Sequence, residues 1–386
     1  MYSGRFPLTY CTNVHPGERL DEIYDVLKRD VVAVRNALGL ETFGLGLRLG
    51  HSVVAELLGQ PQSKNKLVDM CRRQNYSVFT VNGFPYGNFD SGRVKETVYD
   101  PDWTQPERLN YTLDIARLMA SLPGPSERTI STVSGGFKTN TSSKDVQKAV
   151  ANQLRTAAME LSKIADQTGI RIRLCLEPEP WTTLETTDDV LRFWEQEFGD
   201  GRQDINEHLG ICYDVCHQAV HFEDPAASMS ALTAAGIHIG KIQISSALAL
   251  KVPQSAVGRQ RLLAFAEPRF LHQVVAKTKT GLLRCLDLDA LSTPSDGWQH
   301  AEEWRCHFHV PIWWEGDDVL STTKAQWMAA LAYADTLDYT PHLEIETYTW
   351  DVLPEKERKH MESGDLTRSI VAEFEAVSAF LDGLRA

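Results

Sequence analysis

Three acids stand at the ends of apolar runs far apart in the chain: Glu177 closing RIRLCLE, Asp214 closing HLGICYD, and Glu346 within HLEIET. Carboxylates that face one another in a shielded space repel and lose hydration, so they do not all stay ionised without a compensating cation. Hard oxygen donors, joined by one imidazole, suit Mn²⁺, Mg²⁺ or Zn²⁺. The alternative is ordinary: each acid caps a helix or sits in a solvated loop beside its strand. That alternative suits any single acid, whereas three on one inferred face favour a site. Glu179, in the prolyl turn EPEP, is read as a residue of the ordinary kind.

Alternation supplies the inferred face. Successive side chains of a strand point to opposite sides, and in an α/β barrel one side meets the helices while the other fills the barrel. In RIRLCLE the aliphatic set Ile172, Leu174 and Leu176 faces the helices, leaving Arg173, Cys175 and Glu177 inward. In LGICYD, Leu209, Ile211 and Tyr213 face out and Gly210, Cys212 and Asp214 face in. In LEIE, Leu343 and Ile345 face out and Glu344 and Glu346 face in. The carboxyl edge, where barrel active sites assemble, thus receives an acid from three strands.

Other residues could serve the same space. WRCHFHVPIWW sets Trp304, Cys306, Phe308 and Val310 against Arg305, His307 and His309, so two histidines share a face; a hairpin with RCLDLD at 284–289 would leave them merely half buried. Asn13 and His15 end the first strand, Arg48 and His51 the second, and Asn82 the third; each could reach a substrate, although loop hydrogen bonding is the commoner role. VSGGFK lacks phosphate-loop spacing, which leaves Lys138 as a possible anion contact. Cys212, Cys216, His217 and His221 have the composition of a zinc set, but alternation points Cys212 into the barrel and His221 lies in a loop, which argues against a closed four-ligand site.

The elements that must position these groups alternate between strand and helix, the signature of parallel βα units. Strands are expected at 7–14, 43–50, 76–83, 128–135, 171–177, 208–214, 239–245, 304–312 and 342–347, nine segments for eight places. A helix after Ser143 buries Val146, Val150, Leu154, Ala157, Leu161 and Ile164 and stops at Gly169. Thr186 and Asp189 have capping-box spacing. Trp327, Leu331, Ala334 and Leu337 form one stripe, and 364–386 reads as a closing helix through Leu366, Val371, Phe374, Val377 and Phe380. The expectation is an α/β fold, one eight-stranded (β/α)₈ barrel domain over 1–386, with a segment inserted at 246–315 between the seventh and eighth units.

Composition narrows the partners. With 39 Lys+Arg against 52 Asp+Glu the net charge is −13, so nucleic acid and anionic membrane surfaces are repelled and a small-molecule metabolite is the expected partner. Seven cysteines, an odd number scattered through a long chain, read as reduced thiols and a cytoplasmic location. The start MYSGRFPLTY has no signal-peptide pattern, and no apolar run approaches the roughly 20 residues of a membrane span.

LCLEPEP, YDVCH with its D-x-x-H pair Asp214/His217, and LEIET resemble the xylose isomerase-like TIM barrels, which include sugar isomerases and epimerases. LTYCTNVHPGE, KIQISSAL and WRCHFHVPIWW resemble the EboE branch, the metabolite traffic proteins. The resemblance implies a divalent metal held by Glu, Asp, His and Glu, with Glu177, Asp214 and Glu346 matching ligands, the two glutamates serving also as acid and base, and His217 on the substrate side. This chain departs at the seventh strand, where Gln243 stands in place of the usual histidine. Either Gln243 remains as a weak ligand or substrate contact, or His309 fills the place, with His307 beside the substrate. Two functions follow: metal-dependent proton transfer in an isomerase- or epimerase-like enzyme acting on a polyhydroxy or carbonyl compound, or metabolite binding without isomerase activity. An endonuclease of the same superfamily would want a basic face, against which the net charge argues.

Overall fold

The computed structural model describes residues 2–385 except 91, 142, 200, 356–357 and 359–364. Its main sheet contains eight parallel strands: β1 Phe6–Tyr10, β2 Phe43–Arg48, β3 Tyr76–Asn82, β4 Glu127–Val133, β5 Arg171–Glu177, β6 Leu209–Asp214, β7 Ile239–Ile244 and β8 His342–Ile345. They follow in the order β1-β8-β7-β6-β5-β4-β3-β2, and Tyr2–Ser3 adds a short antiparallel edge to β1. β1 and β2 are joined by a bridge between Cys11 and Gly46 and by the Thr9 hydroxyl, which donates to Gly44 O at 2.8 Å and accepts from Gly46 N–H at 3.0 Å. A side chain therefore completes the ring, and the barrel is nearly closed. Gly46 is needed at this seam, since a Cβ there would stand 2.4 Å from Glu344 Oε1 and 2.6 Å from Tyr10 O.

Local signals explain the helices. Ser143 Oγ accepts from Val146 N–H at 3.3 Å to start Lys144–Thr168, and Gly169 ends it at φ 71°. Thr186 and Asp189 exchange both capping-box bonds, each at 3.2 Å. The closing helix is Leu366–Gly383, and residues 364 and 386 lie outside the described residues. Its buried stripe runs through Ile370, Phe374, Val377 and Leu381 rather than Val371 and Phe380, a rotation set by the neighbours it packs on. Leu337 falls beyond the end of Lys324–Ala334. No helix among the described residues is long and apolar enough to cross a membrane.

Two strand expectations change. The first strand stops at Tyr10, and Thr12–Val14 turns into a short 3₁₀ helix. The segment expected at 304–312 is strand only as far as Cys306, within Glu303–Cys306, which belongs to a second, antiparallel sheet built between β7 and β8. There Val274–Thr278 lies between Glu303–Cys306 and Gly281–Cys285, so the expected pairing of 304–312 with 284–289 does not form. Leu248–Leu250 and Ser321–Thr322 complete this sheet, which has an apolar core of its own around Leu262, Phe265, Trp304 and Phe308. The irregular stretch after Cys306 carries His307 and His309 to the barrel mouth.

Alternation holds along β5: Ile172, Leu174 and Leu176 pack in the outer core, and Cys175 faces inward, where a Cβ on Gly240 would meet its sulfur. Deeper in the barrel, Lys241 Nζ sits 2.6 Å from Glu344 Oε2 with both side chains fully buried. Burial opposes the Lys241 charge, but Glu344 outweighs it and raises the ammonium pKa.

A candidate metal centre at the barrel mouth

Each of the three acids is delivered by a strand end and held by a different device. Asp214 caps the helix Val215–Val220: its Oδ1 accepts the His217 N–H at 3.0 Å and the Ser245 hydroxyl at 2.8 Å. Glu346, one residue past β8, is tied by its N–H to Ile244 O at 3.1 Å, and its Oε1 accepts the amides of Asn13 at 3.0 Å and Asn82 at 2.8 Å. Glu177 ends β5 just before Pro178, which withdraws a main-chain donor from its neighbourhood. One oxygen from each of Glu177, Asp214 and Glu346 lies within 4.8 Å of the others, and all three residues are buried.

Glu177 Oε2 and Asp214 Oδ2 have no hydrogen-bond partner among the described residues. A buried polar atom is rarely left so, and a carboxylate oxygen least of all. Burial, then the Asp214 charge, push the Glu177 carboxyl well above the usual range, and burial with Glu177 does the same to Glu346. Asp214 moves the other way: burial opposes its ionisation, but His217 and His309 beside it and the two donors on Oδ1 outweigh that and lower its pKa. The donor set and the orphaned oxygens fit a divalent cation.

Three histidines surround the acids. His217 Nδ1 lies 3.2 Å from Pro178 O and 3.9 Å from both Glu177 Oε1 and Asp214 Oδ1; burial lowers its pKa to about 4. His309 joins Asp214 and His217 in a further cluster of donors within 4.8 Å of one another. His307 comes near Glu179, Nδ1 to Oε1 3.6 Å, and near His309, ring nitrogen to ring nitrogen 3.3 Å. Burial lowers the pKa of His307 and His309 as well, since the charged imidazolium is the form that loses hydration.

A cavity opens above the acids. Glu177, Glu346, His217, His307, Asn13 and Asn82 supply its polar side; Phe84, Phe89, Phe270, Leu271 and Tyr348 supply an apolar wall. Lys95 also lines it, with its ammonium paired to Asp287.

The expected substrate contacts divide. Asn13 and His307 line the cavity. His15 does not: its Nε2 meets the Tyr10 hydroxyl at 2.9 Å on the outer side of β1, because the chain turns after Tyr10 instead of continuing as strand. Gln243 does not line it either; it accepts from Cys212 Sγ at 3.0 Å, below the acids. Arg48 pairs with Glu18, His51 stacks on Tyr86, and Lys138 pairs with Glu185, so each already has a structural partner. Glu179, read from sequence as an ordinary turn residue, is buried in the cavity wall, where the Tyr99 hydroxyl donates to it at 2.9 Å and burial lifts its pKa to about 8. Its spacing of two from Glu177 was the available signal. Phe270 and Tyr348 carried no signal, since the turns that bring them here depend on the second sheet and on the chain beyond β8.

No protein-family model matches this chain, and no curated protein sequence matches it. Solved structures do. A xylose isomerase domain protein from Planctomyces limnophilus superposes with a TM-score of 0.52 at 13% identity, over 98% of this chain and 97% of that one. A D-tagatose 3-epimerase-like protein gives 0.51 at 12% identity, over 98% of each. At such identities the likeness concerns the fold, which is that of the xylose isomerase-like TIM barrels.

Proposed function

We propose that this xylose isomerase-like barrel, taken as one unit carrying 246–315 as an insert, is a metal-dependent isomerase- or epimerase-like enzyme that moves a proton at a carbon beside a carbonyl. The observation that carries this is the meeting of Glu177, Asp214 and Glu346 from three strands, with two of their buried oxygens unpartnered. Glu177, Asp214 and Glu346 would hold the cation; His309 stands by Asp214, where Gln243 replaces the usual barrel histidine, but its one free ring nitrogen turns to His307. When bound, such an ion polarises substrate oxygens and lowers the cost of the charge that develops on them.

The protein's own groups do the rest. Asn13 and Asn82 fix Glu346 Oε1, so its second oxygen is the one free to hold a proton. Glu177 presents Oε2 from the end of β5, and the pair can give and take a proton across one carbon. His217 Nδ1 faces a carbonyl and so carries the proton; its Nε2 accepts a substrate hydroxyl rather than donating to an oxyanion. The wall of Phe84, Phe89 and Phe270 excludes water and favours a carbonyl compound with an apolar body.

That same wall supports a second reading, a metabolite-binding barrel of the EboE kind whose cargo is held without turnover. Deuterium uptake separates the two. Protein loaded with Mn²⁺ and incubated with candidate α-hydroxy carbonyl compounds in D₂O should label the carbon beside the carbonyl, and Glu177→Gln should stop it. Saturable binding of those compounds with no label in any would sink the isomerase reading.

A further inference from the structure

The two histidines of the H-x-H string make a contact that the acids do not explain. His307 Nε2 and His309 Nε2 face each other at 3.3 Å, although the other nitrogen of each ring is already engaged. His309 Nδ1 lies 2.6 Å from the Glu346 carbonyl, which only accepts, so that nitrogen carries its proton. His307 Nδ1 lies 2.6 Å from Gln273 Oε1. The Gln273 amide donates from Nε2 to Pro180 O at 3.1 Å, which sets its orientation and makes Oε1 an acceptor too. With each Nδ1 carrying a proton, the two rings in their neutral form turn bare Nε2 lone pairs toward each other, both buried. A cation relieves that repulsion. Two nitrogens bonded to one tetrahedral ion at roughly 2.0–2.1 Å stand about 3.3–3.4 Å apart.

A third donor is at hand. Cys216 Sγ and one ring nitrogen each of His307 and His309 lie within 4.8 Å of one another, and none of these residues belongs to the triad of acids. Cys216 is fully buried just past Asp214, and the acid itself lies within the same reach of His309.

We propose that His307, His309 and Cys216 bind a second divalent cation, beside the one held by Glu177, Asp214 and Glu346 and separated from it by Asp214. Imidazole and thiolate donors select zinc, whereas the acids form a hard oxygen site. On binding, the Cys216 thiol releases its proton to solvent and the metal–sulfur bond takes its place. This inference shares the carboxylate site with the proposed function but does not require turnover.

Full-length protein stripped with chelator and titrated with Co²⁺ reads both sites at once. The expected result is two equivalents per chain, one of them with a thiolate-to-cobalt charge-transfer band. Cys216→Ala and His307→Gln should each remove that equivalent and its band while leaving the other; Glu177→Gln should weaken the other and keep the band. Circular dichroism of each variant checks that the fold persists, and Cys216→Ala, a small-for-small change, is the variant that decides if His307→Gln misfolds. One equivalent without the band overturns the second site and leaves the proposed function standing. One equivalent lost alike in Glu177→Gln and Cys216→Ala means a single shared centre and also overturns it. No uptake, with a strongly shifted shared imidazole proton by NMR, replaces the cation by a proton and removes both metal readings.

Discussion

Asp214 Oδ1 accepts the main-chain N–H of His217 at 3.0 Å, which leaves Oδ2 unpartnered at the centre of the acids. Helix cap and ligand, which from sequence read as competing roles, are filled by the two oxygens of one carboxylate.

Substitution should separate these two duties. Asp214→Asn keeps a capping oxygen and loses the charge, whereas Asp214→Ala loses both. Each should abolish uptake of the equivalent held by the three acids, read by elemental analysis, and the alanine variant should be less stable than the asparagine variant by about 1 kcal/mol in denaturant melts. Equal stability of the two would show that the cap contributes nothing.

Asn82 donates to Glu346 Oε1 at 2.8 Å and so orients a ligand without being one. Asn82→Ala should weaken metal binding by roughly 10–100-fold in competition with a chelator, the usual effect of removing a partner of a ligand. Unchanged affinity would mean that Asn13 alone positions the carboxylate.

Glu373 tests the pH dependence away from the acids. It is buried, its pKa lifted to about 8 from the ordinary 4.5 by burial, with Thr347 and Ile312 donating to it. A raised folded pKa means that the folded state holds the proton more tightly. The resulting stability is fully present below pH 4.5 and is lost as pH rises through about 8. Glu373→Gln should therefore gain on the wild type by on the order of a few kcal/mol between pH 5 and pH 9, read as the difference in melting temperature at the two pH values. Parallel profiles would contradict the shift.

Lys241 and Glu344 form a fully buried pair inside the barrel. Lys241→Met strands a carboxylate and should cost about 3–5 kcal/mol, while Lys241→Met combined with Glu344→Leu should recover much of it, because two apolar groups leave no uncompensated charge. Denaturant unfolding of the single and double variants measures both.

Alternation along β5, β6 and β8 was legible because it has a period of two and a one-residue slip would turn every aliphatic side chain into the barrel. It predicted the inward set Glu177, Asp214, Glu344 and Glu346 correctly. The Ser143 and Thr186 caps were legible for a similar reason, since their partners lie three residues away. His15 was misplaced because the chain turns after Tyr10, so the strand expected over 7–14 does not carry it to the barrel mouth.

The sequence by itself determined which faces of its strands are apolar and therefore which acids point into the barrel, since burying aliphatic surface is a local, periodic demand. Only the tertiary structure decided which other groups join them. Glu179, Cys216, His307 and His309 come together through packing of the second sheet against the barrel mouth, and contacts between segments about 30 to 130 positions apart leave no periodic trace in the chain.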